Sequence, residues 1–396
     1  MRIRRCAVVY LEPREQAAFD LAVLLGGGDG LQRRRRWVAL APHLGEEHDV
    51  DADSRELLGE LSPAQWIDAD AVELRLRPAL SRLVAAGLVV TDGDDNVEAR
   101  ARDERLRGVY WHPLAATLHA FTRWSGVDTV QNSKDAGTET AVAMRQVLGV
   151  PPAEADRRGE ADHAVPLPRP EPNDFDALLA GRSTCRNFDP ERPLPLARFA
   201  QLVQRVFAAQ GQVRVGDDLV FLKKSVPSGG GLHPMEAYFI VQHVDGLAPG
   251  LYHYRSTAHV LEPLPVPAGR DFASGGLRAF VMDLVAQQHW FADAHVLVVL
   301  APRFDRTFWK YRHHAKGYRV VALEAGHLSQ TLYLSATEAG LGAFITGAIN
   351  EVEIERAFGL DPIHEGALAV CGFGWRGDEM VNAELDPNGV VWRMAP

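Results

Sequence analysis

Cysteine is scarce: the chain has three in 396 residues, Cys6, Cys185 and Cys371, far apart and with no CxxC pair. An odd number so spaced supports neither a disulfide framework nor a cysteine zinc site, and it fits a reducing cytoplasm. Also missing is any uncharged apolar run of the ~18–20 residues that a bilayer-spanning helix needs; the best stretch, 294–302, has the length of a strand. Near the N-terminus, Cys6-Ala7-Val8-Val9-Tyr10-Leu11 meets Glu12, Pro13 and Arg14 too soon for a signal peptide. There is no excess of positive charge. Lys and Arg number 42 against 52 Asp and Glu, so the net charge of −10 argues against a global grip on nucleic acid or an anionic membrane. Any phosphate must be held locally.

What is present is an ordinary globular composition, 46% hydrophobic and 24% charged, in a chain long enough for two or three domains. Residues 151–172 read PPAEADRRGEADHAVPLPRPEP, with six prolines and almost nothing large and apolar to bury, which predicts an extended linker. It would separate an N-terminal domain, 1–150, from a C-terminal one, 173–396.

In the N-terminal part, Ser62-Pro63 predicts a helix start. A second helix would carry Val72, Leu76, Leu80, Leu83 and Val84 and end at Gly87. Then Leu88-Val89-Val90 reads as a strand, Asp92-Gly93-Asp94-Asp95-Asn96 as a hairpin turn, and Val97-Glu98-Ala99 as its return. Two helices followed by a hairpin predict a winged-helix-like domain. The acids Asp92, Asp94, Asp95 and Glu98 would repel phosphates, so a peptide partner or a scaffold role is expected rather than DNA. Arg33-Arg34-Arg35-Arg36 could grip an acidic partner, or form a solvated loop. A further helix over 109–124, with Trp111, Leu114, Leu118, Phe121 and Trp124, is expected to pack, and His112 and His119 in it lack partners spaced for a metal.

Three C-terminal motifs carry chemistry. Arg182-Ser183-Thr184-Cys185-Arg186 places two arginines four apart with hydroxyls between, a set that can collect around one phosphate. Pro227-Ser228-Gly229-Gly230-Gly231 precedes the strand Ala237-Tyr238-Phe239-Ile240-Val241, and its glycines let a flat ligand approach the main chain. Residues 318–342, beginning YRVVALEAGHLSQTLYLSATEAGLG, are apolar almost all round and predict a buried central helix, followed by the extended segment 343–350.

In this order, R-S-T-x-R-x-F, PSGGGLHP and EAGH-x-x-Q-x-x-x-L-x-A-x-x-x-GLG resemble the FMN-dependent nitroreductase superfamily. The EAGH and PSGGG forms are similar to its SagB/McbC-type branch, the azoline dehydrogenases of thiazole/oxazole-modified peptide biosynthesis. The resemblance covers 174–376. It implies an α+β, nitroreductase-like FMN-binding sandwich, here with the winged-helix-like domain in front, dimerising through the central helix with FMN at the interface. Arg182, Ser183, Thr184 and Arg186 would hold the FMN phosphate and ribityl chain. Pro227, Ser228, Gly229 and Gly230 would line the isoalloxazine, Ile345, Thr346, Gly347 and Ala348 would address its N5/O4 edge, and Arg376 would be a further phosphate contact. Gly229 stands where the family often has alanine, and Thr331 where it often has asparagine.

Lys310-Tyr311, ahead of EAGH, resembles that branch's catalytic pair. Aromatising an azoline removes a hydride and a proton, and a desolvated lysine could take the proton with the tyrosine assisting. A metal site at His313, His314 and His327 is not expected. The implied protein is a cytoplasmic homodimer that acts on a ribosomally made peptide, with a cyclodehydratase as a partner and neither nucleic acid nor membrane. Two alternatives share the motifs: a generalist NAD(P)H-dependent nitro or quinone reductase, and a non-catalytic docking scaffold.

Overall fold

The computed structural model describes residues 1–156, 158–160, 163–272 and 275–392. It divides into two compact units. The first comprises Met1–Arg123, Arg303–Val320 and Asp361–Gly366; the second comprises Trp124–Pro302, Val321–Leu360 and the chain from Ala367 onward. This differs from a boundary at the proline-rich linker. Residues 124–150 group with the second unit, and two segments far along the chain join the first.

In the first unit, β1 (Arg2–Arg5) precedes a ribbon of β2 (Tyr10–Phe19) and β3 (Leu31–Leu40), which flank the short helix α1 (Leu21–Leu25), and then β4 (Glu47–Asp49). Next come α2 (Ala52–Glu60), β5 (Ile67–Asp68), α3 (Arg77–Ala85), β6 (Val89–Thr91), α4 (Val97–Val109) and α5 (Pro113–Phe121). Two antiparallel sheets result, β5-β1-β6 and β2-β3-β4. Ile3, Leu57, Leu58, Leu76, Leu83 and Leu88 form the core between the first sheet and α2 and α3.

The winged-helix expectation is not confirmed. The α3 helix and the strand after it form, but Ser62 Oγ caps only a turn, accepting from the N–H groups of Ala64 (3.1 Å) and Gln65 (3.0 Å). The residues beyond it pair with β1 instead. The hairpin wing is absent: residues 97–99 open α4, not a strand. The 97–109 segment is rich in Arg, Ala and Glu, and it buries Ala99, Leu106 and Val109 along one face. Asn96, in the left-handed region at φ 52°, donates from Nδ2 to the carbonyls of Val84 (3.0 Å) and Ala85 (3.3 Å), so the turn closes α3 rather than a hairpin. Nor is 109–124 one helix; it breaks at Tyr110, and α5 restarts with Pro113 in its first turn. Arg33–Arg36 lie in a strand, not a solvated loop.

Trp111 packs on Phe304 (4.5 Å between centroids), Phe308 (4.7 Å) and His119 (5.4 Å), all within the first unit. Burial pushes the His119 imidazole down to about 3. Because its folded pKa is depressed, the neutral ring's stabilisation is complete above the unfolded value near 6.5 and is lost as pH falls through that window. Denaturant titrations from about pH 7 to pH 4 should show stability falling by up to ~1.4 kcal/mol per pH unit. His119→Phe should flatten the profile; an unchanged slope in that variant would assign the effect elsewhere.

The second unit opens with α6 (Thr129–Asp135) and α7 (Ala141–Leu148); α8 (Asp174–Ala180) and α9 (Leu196–Phe207) follow, with no α-helix or strand among the described residues of 151–172. A hairpin, β7 (Gly211–Arg214) and β8 (Val220–Lys223), leads to β9 (Met235–Val241), β10 (Gly250–Arg255) and β11 (Val260–Leu264). Then come α10 (Gly276–Leu284), β12 (Val296–Pro302), α11 (Phe304–Lys310, in the first unit) and α12 (Gly317–Glu338). The chain continues through β13 (Gly342–Thr346), α13 (Glu351–Phe358) and β14 (Ala369–Gly374).

The main sheet is antiparallel in the order β11-β10-β9-β12-β14-β13. Its central strand β12, Val-Leu-Val-Val-Leu-Ala-Pro, is wholly buried, as a strand covered on both faces should be. From α9, Phe199 and Phe207 pack on Phe239 of one face, while Ile240 and Leu297 of the other meet α10 and α13. This is the α+β sandwich expected. Helix α12 departs from expectation in the single chain: Ala322, Leu323, Gly326, His327 and Gln330 form an exposed stripe, with Leu323 62% exposed.

Candidate cofactor site

The arginine motif starts where α8 stops. Asn173 and Asp176 form a reciprocal cap at the start of that helix, which ends at Gly181. Arg182 to Phe188 then run extended along the edge of the main sheet, bridging Thr184 to Ala343 of β13 and Phe188 to Arg376 beyond β14. The Cys185 N–H donates to the Ala343 carbonyl at 2.8 Å. The Cys185 side chain is fully buried, and burial pushes its thiol up to about 12, which fits a packing role rather than reactivity.

The contact between motif and strand requires a glycine. A Cβ on Gly342 would stand 2.5 Å from Cys185 Sγ and 2.6 Å from its Cβ. Gly342→Ala should therefore lever the arginine motif off β13, costing about 1–3 kcal/mol of overpacking strain and lowering the melting temperature accordingly. A variant with wild-type melting temperature would contradict this.

Helix α12 ties the motifs together. The Tyr333 hydroxyl accepts from the Ile345 N–H at 3.1 Å and shares a hydrogen bond with Thr184 Oγ1 at 3.0 Å, joining the arginine motif to the 345–348 segment. Two turns earlier, Glu324 is buried and accepts from the Met235 N–H (3.4 Å) and from Ser228, and His327 Nδ1 lies 3.1 Å from the Pro227 carbonyl oxygen. Burial raises the Glu324 pKa, against these bonds and the charges of Lys224 and His327. The Pro-Ser-Gly loop is thus clamped to the helix about 9–14 Å along its axis from Tyr333, at His327 and Glu324, taking 1.5 Å per residue. Within that loop Gly230 has φ 66°, a conformation that disfavours any side chain, and Ser228 Oγ accepts from the His233 N–H at 2.9 Å.

The 345–348 segment is held from behind. Gln288 is buried, and its Nε2 donates to the Ala348 carbonyl (2.7 Å) and to Thr346 Oγ1 (3.1 Å), while Thr346 Oγ1 accepts from the Ala348 N–H (3.2 Å). A Cβ on Gly347 would meet nothing within 4 Å. The turn therefore leaves open space at Gly347.

Arg376 donates to Ser183 Oγ at 2.9 Å and pairs with Glu384. The Glu384 side chain is fully buried and also accepts from the Arg186 N–H (2.6 Å), the Asn187 N–H (3.1 Å), Asn187 Nδ2 (2.8 Å) and Trp392 Nε1 (2.9 Å). Burial would raise its pKa, but these bonds and the Arg376 charge hold it below the usual glutamate value. The motif is thus built to surround an anion, and one group of its donors already holds a carboxylate. The Arg182 and Arg186 side chains have no carboxylate within ion-pair distance among the described residues; Arg182 lies 5.4 Å from the Tyr333 ring, and Arg186 Nη1 is 3.3 Å from the Ala383 carbonyl. Two unneutralised guanidiniums, two hydroxyls and an open glycine turn suit a ligand with a phosphate at one end and a flat ring system.

The sequence did not single out Gln288, Tyr333, Glu324 or Glu384 as site residues. Only Glu324, within EAGH, sat in a motif that could have marked it. Lys310 and Tyr311 are the site residues outside this unit. They stand at the end of α11 in the first unit, where Lys310 is exposed, with Nζ 5.5 Å from the Tyr311 ring, rather than desolvated as expected. Among the described residues no three His, Cys, Asp or Glu side chains could hold a metal ion, and no helix is long and apolar enough to cross a membrane.

The sequence profile of the Nitroreductase family, whose members generally bind FMN, matches residues 179–375. The chain is 31% identical over 191 residues to a protein named as nitroreductase MJ1384 of Methanocaldococcus jannaschii, covering 48% of this chain and 86% of that one. It is 30% identical over 149 residues to the trifolitoxin-processing protein TfxB of Rhizobium leguminosarum bv. trifolii (37% of this chain) and 24% identical over 160 residues to the microcin B17-processing protein McbC of Escherichia coli (39% of this chain). The matches span 38% and 54% of those two proteins. Among solved structures, the E. coli microcin synthetase McbBCD complex with truncated pro-MccB17 overlaps with a TM-score of 0.41 at 20% identity, covering 72% of this chain and 95% of that one. The chain belongs to the nitroreductase family of oxidoreductases.

Proposed function

We propose that this protein is an FMN-dependent dehydrogenase that oxidises azoline rings, thiazoline or oxazoline, to azoles in a ribosomally made peptide. The observation that carries the reading is that one helix, α12, bonds through Tyr333, Glu324 and His327 to the arginine motif, the Pro-Ser-Gly loop and the 345–348 segment, a set that suits a phosphate-bearing, flat cofactor. The names of the trifolitoxin and microcin relatives support peptide processing.

In this reading Arg182 and Arg186 fork onto the FMN phosphate, with Ser183, Thr184 and Arg376 around it. Pro227, Ser228, Gly229 and Gly230 would line the ring system, and the main chain of Ile345, Thr346, Gly347 and Ala348 would meet its edge. Gln288 holds that main chain in place from behind. The chemistry FMN supplies when bound is acceptance of the hydride from the azoline ring. The ring also loses a proton, which Lys310 Nζ takes while the Tyr311 hydroxyl steadies the charge. Because Lys310 is exposed in the single chain, water must be excluded by what covers it, whether the peptide or a second copy. The exposed stripe of α12, Ala322-Leu323 with Gly326, His327 and Gln330, supports a homodimer through that helix. The first unit engages the peptide or a partner enzyme such as a cyclodehydratase.

The test is direct. Purified protein should absorb as an oxidised flavoprotein and convert an azoline-bearing peptide to the azole, with a mass loss of two hydrogens. The similarity to a nitroreductase over 86% of that protein favours, as a second reading, a generalist NAD(P)H-dependent reductase. Rapid flavin reduction by NADPH without azoline turnover would select it, and a colourless protein that takes up no FMN would overturn both.

A further inference from the structure

The first unit contains a cavity of about 510 Å³ that the oxidoreductase reading does not use. Arg34, Arg35, Arg36, Arg55 and Arg82 line it, against Asp49 and Asp51 alone among acids, over a floor that includes Trp37, Val50 and Leu83. Two of the arginines are committed: Arg36 pairs with Asp49 at 3.1 Å and Arg82 with Asp51 at 2.6 Å. Arg55 lies over the Trp37 ring at 4.6 Å. Arg35 is 89% exposed and only loosely paired with Glu15 at 3.8 Å, and Arg34 has no carboxylate within ion-pair distance among the described residues. The cavity is therefore cationic, with unneutralised guanidiniums at its mouth, in a chain whose net charge is −10.

A second feature adjoins it. Strand β3 pairs with β2 along its whole length, Leu31 to Leu40, but with β4 only at Val38, Ala39 and Leu40. On that side the Trp37 carbonyl still accepts from the Val50 N–H at 2.9 Å; by the alternation of an antiparallel strand, Arg35 and Arg33 turn their main-chain groups the same way, where no strand pairs with them among the described residues. An open strand edge of this kind is a template for another strand.

We propose that this edge and cavity form a binding site for an acidic peptide segment, which adds to β3 as an extended strand and places its carboxylates among Arg34, Arg35 and Arg55. The open edge favours a peptide over nucleic acid, because a peptide main chain can continue the ladder and a phosphodiester chain cannot. Within the peptide-substrate reading, on which its role in the reaction rests, the site holds the substrate away from the ring being oxidised.

The probe is a fluorescein-labelled decapeptide alternating Glu and Val, titrated with the full chain by anisotropy. Binding should saturate and weaken with salt, and R34E/R35E, at exposed positions, should weaken it by at least about tenfold with the melting temperature unchanged. R35P, which removes an edge N–H, should bind more weakly than R35Q, which removes the same charge. The overturning results are no saturable binding, equal binding by R34E/R35E, or tighter binding of a 20-base-pair DNA duplex. Oxidation of a short azoline compound without an acidic segment should be the same in R34E/R35E and wild type. Peptide binding without any azoline oxidation would retain this site and reject the enzymatic reading, and oxidation without peptide binding would do the reverse.

Discussion

Lys310→Ala should lower azoline oxidation by about 10²–10⁴-fold, the usual worth of a positioned general base, while the protein keeps its flavin. The two effects separate because Lys310 belongs to the first compact unit and the motifs proposed to hold the cofactor to the second. Lys310→Arg should not rescue, since a guanidinium does not give up its proton at any working pH. Tyr311→Phe keeps the ring that faces Lys310 Nζ and removes only the hydroxyl, so a loss of roughly tenfold is expected. Flavin content by absorbance, flavin reduction by dithionite and single-turnover oxidation of an azoline peptide would be measured together. Turnover by Lys310→Ala within about threefold of wild type, with flavin bound, would remove the lysine from the mechanism.

Trp111→Ala should destabilise the protein by about 3–5 kcal/mol, the cost of emptying a large aromatic site in a packed core. Trp111 is 3% exposed; it contacts Phe304 and Phe308 of α11, and its indole N–H donates to the Ile363 carbonyl at 2.8 Å. It thus joins the three chain segments of the first unit: the N-terminal stretch, Arg303–Val320 and Asp361–Gly366. At about 2–4 °C per kcal/mol for a unit of this size, the midpoint should fall by roughly 6–20 °C. Activity should fall below what the folded fraction accounts for, because the helix carrying Lys310 loses its anchor while flavin stays bound. Trp111→Phe retains most of the packing and loses the indole donor, so about 1 kcal/mol is expected. A Trp111→Ala midpoint within about 2 °C of wild type would show that α11 is held by other contacts.

Much of the second unit was legible because its signals are local. The β12 run of Val and Leu, the glycines of the Pro-Ser-Gly loop and the spacing of Arg182 and Arg186 each state a backbone preference or a chemistry within a few residues. The same local reading failed at 97–99. The short apolar return of a hairpin and the first turn of a helix look alike there, and the thirteen-residue helix prevails because it buries Ala99, Leu106 and Val109.

Local composition thus marked strands such as β12 and helices such as α12 in the second unit, and the three motifs together marked the family. Tertiary structure decided the partnerships. It placed α11 with a tryptophan some 200 positions earlier, enclosed Glu384 among donors from Arg186, Asn187, Arg376 and Trp392, and set Gln288 behind the 345–348 turn. It also converted a run of four arginines into one open edge of a sheet beside a cavity. The physical reason is the same in each case. A buried polar group is stable only when donors or acceptors reach it from elsewhere in the chain, and no short-range pattern records which distant residue will supply them.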